Sequence, residues 1–168
     1  MPLKLTRKKF NILTGKSKSR KKREHPEQDM QIDFITKFRK KYPCLKPLLF
    51  STHGESLYKR QDLIKMGAAS GIPDMFFCLV LGRYGGLWIE LKVQPNKPSK
   101  EQLDFMQDVE MAGYKAEVCY SCLEALKAIE EYLDQDRHKL GIVSQALSRH
   151  QQYRLAASKP KLRSRGRR

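Results

Sequence analysis

The sequence predicts an α/β fold in which a mixed β-sheet is flanked by helices. Segments with apolar residues at helical spacing alternate with short apolar runs typical of strands. The two strongest strand candidates flank a glycine-rich turn, and two helix candidates begin with capping-box patterns. The predicted order of elements is α-β-(α)-β-β-α-β-α, and a length of 168 residues suits one domain with appendages.

The predicted domain begins with a helix and a short strand. An apolar stripe at helical spacing predicts the helix over residues 27–41, and Pro43 ends it. The stripe consists of Met30, Phe34, Ile35, Phe38 and Tyr42. Residues 48–52 form a short strand candidate, and residues 56–66 are either a weak helix or an ordered loop.

An antiparallel hairpin is predicted in the middle of the domain. Residues 74–81 and 87–93 are apolar strand candidates, and the connector 82–86 has the composition of a turn, Gly-Arg-Tyr-Gly-Gly. A further strand candidate covers residues 116–120.

Capping patterns mark the later helices. The capping pairs are Ser99 with Gln102 and Ser121 with Glu124. The first pair opens a helix over residues 99–112 that Gly113 ends, and the second opens a helix to about Leu133. A short amphipathic helix over residues 139–154 is predicted from apolar spacing, although Gly141 weakens it. Its apolar residues are Leu140, Val143 and Leu147, a candidate dimer surface.

Charge divides the chain into three parts. Residues 1–23 carry 10 Lys and Arg without an acid, and residues 137–168 carry another 10 without an acid. Residues 24–136 hold the other 14 basic residues and all 18 acidic ones, a net charge of −4. We therefore expect an acidic globular domain between a disordered basic N-terminal arm and a basic, partly helical C-terminal tail.

Such cationic arms favour a polyanionic partner, since Lys and Arg bind DNA by displacing its counterions. The predicted DNA-binding residues in the arms are Lys8, Lys9, Arg20, Lys21, Lys22, Arg23, Arg163 and Arg165. His53, which follows a strand candidate, is a further candidate DNA contact. The run KSKSRKKR at residues 16–23 is also typical of a nuclear-localisation or solubilising segment, but two cationic arms that flank an acidic domain favour DNA binding.

Other classes of protein are excluded by composition. No apolar run is long enough to span a membrane, and no apolar stretch follows the basic N-terminus as a secretory signal requires. We expect a cytoplasmic protein associated with nucleic acid, in the host cytoplasm if the chain is viral. The pair Cys119 and Cys122 lacks partners at metal-ligand spacing, so we interpret both residues as small buried side chains.

The segment Trp88-Ile89-Glu90-Leu91-Lys92-Val93 carries the strongest chemical signal. In a strand, Glu90 and Lys92 point to the same face. The pair alone is also typical of a solvated ion pair on an edge strand. Asp74 favours a functional site over a solvated ion pair, because the predicted hairpin brings the start of its strand opposite Glu90 and Lys92. Two carboxylates beside an ammonium group are oxygen ligands for Mg²⁺ or Mn²⁺, and this is the chemistry that phosphodiester hydrolysis requires.

The chain resembles a known family at these residues. Gly71-Ile72-Pro73-Asp74, then Glu90-Leu91-Lys92, then Ser99-Lys100-Glu101-Gln102 are similar to the motifs of the VRR-NUC domain, a member of the PD-(D/E)XK nuclease superfamily. The likeness covers about residues 27–133. It implies a restriction-endonuclease-like core and assigns residues 24–136 to the nuclease domain.

The resemblance also implies roles for individual residues. Asp74 and Glu90 would hold the Mg²⁺ or Mn²⁺ ion together with the backbone carbonyl of Leu91, and Lys92 would orient the attacking water. Gln102 matches a glutamine of the family, although a capping box alone also explains it. Glu27 matches a first-helix glutamate that would serve in metal binding and catalysis, with Glu24 as a competing candidate.

The expected function is that of a metal-dependent, structure-selective DNA endonuclease. Family members without added recognition domains resemble homodimeric resolvases of branched DNA, so a Holliday junction resolvase is the leading interpretation. A flap or replication-fork endonuclease is one alternative. A non-enzymatic DNA-binding protein with a decayed core is another.

Overall fold

The computed structural model describes residues 25–52, 67 and 69–157. The sequence predictions for residues 1–24, 53–66 and 158–168 lie outside this part of the chain. The helices are α1 (Pro26–Lys41), α2 (Lys100–Met111), α3 (Cys122–Leu133) and α4 (Arg137–Ala157), with 3₁₀ segments at Pro43–Leu48 and Asp134–Asp136. The strands are β1 (Leu49–Ser51), β2 (Met75–Phe77), β3 (Leu87–Leu91) and β4 (Lys115–Cys119).

The four strands form one mixed sheet in the order β1-β2-β3-β4. Strands β1, β2 and β3 pair antiparallel, with Met75 opposite Ile89. Strand β4 pairs parallel to β3, and α2 makes the crossover between them. The α/β fold with a mixed sheet is therefore confirmed.

Helices α1 and α3 cover one face of the sheet and build the main core there. Phe38 of α1 and Tyr132 of α3 both pack edge-on against Phe77 of β2, at ring separations of 5.7 and 5.9 Å. All three side chains are fully buried. Burial of one such aromatic ring contributes on the order of 2–3 kcal/mol, so this cluster dominates the packing of the domain.

Aromatic rings and Glu90 occupy the opposite face. Phe50, Phe76 and Trp88 lie side by side across β1, β2 and β3, because they are register partners. Phe105 of α2 packs against the Trp88 ring at 5.3 Å. Because side chains alternate along a strand, Glu90 lies on the same face as Trp88.

The hairpin forms as predicted, but β2 is shorter than the predicted strand over residues 74–81. It ends at Phe77, and the chain then leaves the sheet while Leu79 and Leu81 stay buried. The Tyr132 hydroxyl donates to the Leu79 carbonyl oxygen at 2.6 Å, so a helix side chain takes the place of a strand partner.

Capping explains where α2 and α3 begin. Ser99 and Gln102 form a complete capping box, and Gly113 follows α2 with a φ of 88° that favours glycine. At α3 only half of the second predicted box forms. The Ser121 hydroxyl accepts from the Glu124 backbone, but the Glu124 carboxylate accepts from the Tyr120 backbone at 2.7 Å instead of from that of Ser121.

Helix α4 is longer than predicted and runs through Gly141. Its apolar stripe is partly buried against the core of its own chain, and the role of residues 140–147 as a dimer surface stays a prediction. The stripe consists of Leu140, Val143 and Leu147. No helix in the described ranges is long and apolar enough to cross a membrane.

Between α4 and the 3₁₀ segment Pro43–Leu48 lies a groove of about 660 Å³ beside β1, which we call the edge groove. Its lining includes Arg39, Lys46, Phe50, Gln151, Arg154 and Leu155.

Candidate active site

Gly71 packs the segment before Asp74 tightly against the first turn of α2. Its φ is 77°, and a Cβ placed on it would lie 2.2 Å from the Glu101 carbonyl oxygen. Only glycine allows this approach without displacement of the backbone. The contact ties the segment that leads to Asp74 to the helix that carries Gln102.

Asp74 lies immediately before β2 and reaches across to β3. Its Oδ2 accepts a hydrogen bond from the Leu91 backbone N–H at 2.8 Å. Its own backbone oxygen accepts from the Thr52 N–H at 3.0 Å. The predicted convergence of Asp74 with the Glu90–Lys92 segment is thereby present.

Glu90 is a fully buried acid in the centre of this arrangement. Its Oε1 accepts from Lys92 Nζ at 2.6 Å and from Gln102 Nε2 at 2.5 Å. Its Oε2 is buried and has no hydrogen-bond partner among the residues that the structure describes. A buried carboxylate oxygen without a donor is costly, and a cation is the group that compensates it best.

The two charges of the pair respond to burial in opposite ways. Burial raises the pKa of the Glu90 carboxyl, and the nearby Asp74 charge adds to this, although the hydrogen bond from Lys92 opposes it. Burial acts to lower the pKa of Lys92. The hydrogen bond to Glu90 and the negative charges of Glu90, Glu27 and Asp74 outweigh it and raise that pKa above its ordinary value. Lys92 is therefore an ammonium group at neutral pH.

Glu27 lies in the first turn of α1 and faces the same end of the sheet. Its charge acts on Lys92, and its Oε1 accepts from Asn96 Nδ2 at 3.1 Å. Sequence reasoning missed Asn96, since no local pattern links it to a residue 69 positions earlier. One turn after Glu27, Gln31 donates to Ser51 Oγ at 3.1 Å and so ties α1 to the sheet.

The remaining sequence candidates either lie outside the described part of the chain or are cysteines within it. Glu24, His53 and the arm residues are outside the described part of the chain, so their predicted roles stay predictions. Cys119 is buried, and burial raises the pKa of its thiol to about 12. Cys122 is half-buried against the core, which supports the interpretation of both cysteines as packing residues.

The donor set fits a hard divalent cation. Two carboxylates, of Asp74 and Glu90, meet where the Glu90 Oε2 lacks a donor. Oxygen ligands are those that Mg²⁺ and Mn²⁺ prefer, and Mg²⁺ commonly completes its shell with water. Across residues 25–52 and 69–157, no three His, Cys, Asp or Glu side chains form a ready-made metal cluster. The roles of Glu27 and of the Leu91 backbone carbonyl as further ligands stay predictions.

A mixed sheet with an acid before one strand, and an acid and a lysine near the end of the next, defines a nuclease of the PD-(D/E)XK type. The family model described as the VRR-NUC domain matches residues 23–123. The chain belongs to the VRR-NUC family, which implies a nuclease that acts on DNA, and such nucleases generally use divalent metals.

The fold of the chain also has a counterpart among solved structures. A structure titled "VRR_NUC domain protein" superposes with a TM-score of 0.60 at 18% identity, over 68% of this chain and 93% of that one. At this identity the likeness shows the fold alone. The comparison with curated proteins found no match.

Proposed function

We propose that the chain is a structure-selective, Mg²⁺- or Mn²⁺-dependent DNA endonuclease that cuts branched DNA. The single observation that carries the proposal is the meeting of Asp74, Glu90 and Lys92 around a buried carboxylate oxygen without a donor. A core with this arrangement hydrolyses phosphodiesters when water is activated and the charge developing on phosphate is neutralised.

Each side chain has one task in this reaction. Asp74 and Glu90 would hold the cation, which supplies Lewis-acid activation of water and offsets negative charge on the phosphate. Lys92, an ammonium group, donates to the attacking water or to a phosphate oxygen and cannot serve as the base while it is protonated. Gln102 holds the Glu90 carboxylate in position. Asn96 does the same for Glu27.

The leading candidate substrate is a four-way junction cut by a homodimer. A symmetric dimer presents two sites to opposed strands, as paired incision requires. The described part of the chain holds the nuclease core and one further helix, without a separate recognition domain, in keeping with a shape-reading enzyme. We propose that the protein acts on DNA in the cytoplasm.

A second candidate, a fork or flap endonuclease, is favoured by the edge groove. The groove lies beside the strand that leads to the Asp74 end of the sheet and carries three exposed cations. Forks and flaps offer an unpaired strand next to the point of cutting, whereas a fully paired junction does not.

The test is cleavage of labelled four-way junctions, forks, flaps and duplexes with Mg²⁺ or Mn²⁺. We expect the wild type to cut a branched substrate, and Asp74→Asn and Lys92→Met to lower the rate by about 10²-fold or more without loss of binding. Lys127→Gln, on an exposed face of α3, is the matched control and should cut like the wild type. If both site variants cut normally, the site assignment is wrong.

A further pair of variants decides between the two glutamates at the start of the domain. Glu27→Gln should lower the cleavage rate, and Glu24→Gln should not. Tight binding by a wild type that cuts no substrate with either metal would favour the non-enzymatic DNA-binding protein.

A further inference from the structure

The edge groove carries positive charge that no salt bridge offsets in the described part of the chain. Arg39, Lys46 and Arg154 line it, and all three are exposed. Within the described ranges, none of the three forms a salt bridge. Helix α4 itself carries four Lys and Arg and no acid. Unpaired cations in a concave surface raise the local concentration of a polyanion.

An exposed aromatic ring lies at the sheet side of this groove. Phe50 has 46% of its surface exposed, and its ring lies nearly perpendicular to that of Phe76 at a centroid distance of 5.8 Å. Cations that follow a backbone beside an aromatic ring that stacks on bases are the combination by which proteins hold single-stranded nucleic acid.

The groove includes Phe50 of β1, the strand that leads to the candidate active site. Two residues after Phe50, and one after the end of β1, the Thr52 backbone N–H donates to the Asp74 carbonyl oxygen. At about 3.3 Å per residue, Phe50 lies about 7 Å along the strand from Thr52. Phe50 is also on the same sheet face as Glu90, by register with Phe76 and Trp88. A nucleic-acid strand in the groove therefore leads directly towards the site.

We infer that the edge groove binds an unpaired DNA strand and delivers it to the active site. This rests on the proposed nuclease function and names the part of the substrate that the groove takes. The bases of a duplex are stacked on one another and would not be open to Phe50. An acidic peptide would match the positive charge of the groove, but it would not explain why the groove lies beside the strand that leads to the active site. Residues 1–23 and 158–168, which lie outside the described ranges, carry only basic charge, so like charge disfavours them as occupants of the groove.

The test measures DNA binding without cutting. The full chain carries Asp74→Asn, EDTA is present, and the probes are a labelled oligothymidylate and a labelled duplex of equal length. The groove variant is Arg39→Gln/Lys46→Gln/Arg154→Gln. The control variant removes the same charge elsewhere, as Arg83→Gln/Lys127→Gln/Arg137→Gln. All six side chains are exposed, so both variants should fold like the parent.

We expect the groove variant to lose about tenfold or more in affinity for the oligothymidylate at low salt. The slope of log affinity against log salt should fall by about 2, since each phosphate neutralised on a single strand contributes about 0.7. The control should lose less than about threefold. Phe50→Leu, which keeps apolar volume but removes the aromatic face, should weaken single-strand binding by about fivefold or more and leave duplex binding unchanged.

Three outcomes would overturn the inference. The groove variant could lose no more DNA affinity than the control variant, or lose equal affinity for the single strand and the duplex. It could also lose affinity for a labelled peptide rich in Asp and Phe while its DNA binding stays intact. These outcomes are separable from failure of the proposed function. A protein that cuts no branched DNA but shows the groove effect refutes the proposed function alone, while normal cutting without a groove effect refutes the inference alone.

Discussion

Gln102 holds Glu90 with one end of its amide and the start of its own helix with the other. Its Nε2 donates to Glu90 Oε1 at 2.5 Å, and its Oε1 accepts from the Ser99 backbone at 2.8 Å. The capping box and the contact with Glu90 therefore belong to one side chain, as the sequence analysis allows.

Substitution of Gln102 should affect both roles, and Ser99 offers a variant that affects one. Gln102→Ala is expected to lower the cleavage rate by about 10–100-fold, because the support of a metal-binding carboxylate is lost. It should also cost about 1 kcal/mol of stability. Ser99→Ala should cost a similar amount in stability at near-normal activity, measured by urea unfolding and junction cleavage. An equal activity loss in Ser99→Ala would reduce Gln102 to a helix cap.

The close packing of Gly71 should make it intolerant of any side chain. Gly71→Ala places a methyl group against the Glu101 carbonyl oxygen and should displace the segment before Asp74. Gly113→Ala is the control, since its φ of 88° is equally unfavourable but its Cβ meets nothing within 4 Å. We expect Gly113→Ala to cost about 1–2 kcal/mol of stability and to keep activity. Gly71→Ala should lose more stability and most of its activity, unless the contact is unimportant.

The raised pKa of Glu90 predicts how stability without metal changes with pH. Above 4.5, the ordinary value, the unfolded chain has lost the Glu90 proton while the folded chain still binds it. The part of the free energy of unfolding that this proton contributes is thus fully present below pH 4.5. It is lost as the pH rises to the pKa of Glu90 in the folded chain, at up to about 1.4 kcal/mol per pH unit. Glu90→Gln should remove this decline from chemical unfolding curves in EDTA. Parallel curves for the two proteins would contradict the prediction.

Metal binding should stabilise the folded chain through the same two carboxylates. Mn²⁺ at about 100 times its Kd is expected to add about 2.7 kcal/mol, visible as a higher Tm that EDTA reverses. Asp74→Asn should abolish most of this shift, and Lys127→Gln should retain it. An unchanged shift in Asp74→Asn would place the metal elsewhere.

Burial orders the reactivity of the thiols. Cys78 is exposed, whereas the pKa of Cys119 is raised to about 12 and the residue is 3% exposed. A thiol reagent at pH 8 should modify Cys78 first and reach Cys119 only on unfolding, as mass spectrometry of the labelled peptides would show. In the Cys78→Ser variant, the fast phase of thiol labelling should vanish. Early labelling of Cys119 would mean that β4 opens readily.

Local patterns predicted most of the fold and the chemical centre. The hairpin and both caps depend on neighbouring residues, and the hairpin in turn brings Asp74 to Glu90 and Lys92. The contact between Tyr132 and the chain after β2 could not be predicted, because Tyr132 lies 53 positions beyond Leu79. The edge groove was not predicted for the same reason, since its cations come from α1, the 3₁₀ segment and α4, and α4 is far from the other two in the sequence.

The packing of Gly71 against the start of α2 closes a single continuous stretch, residues 71–102, that holds every acid, amine and amide of the candidate active site except those on α1. Most of the candidate active site is thus carried by one stretch of chain, while the edge groove is built by α1, the 3₁₀ segment, β1 and α4. An engineer who grafts a different α4 onto this stretch should change the groove and leave the residues of the candidate site in place.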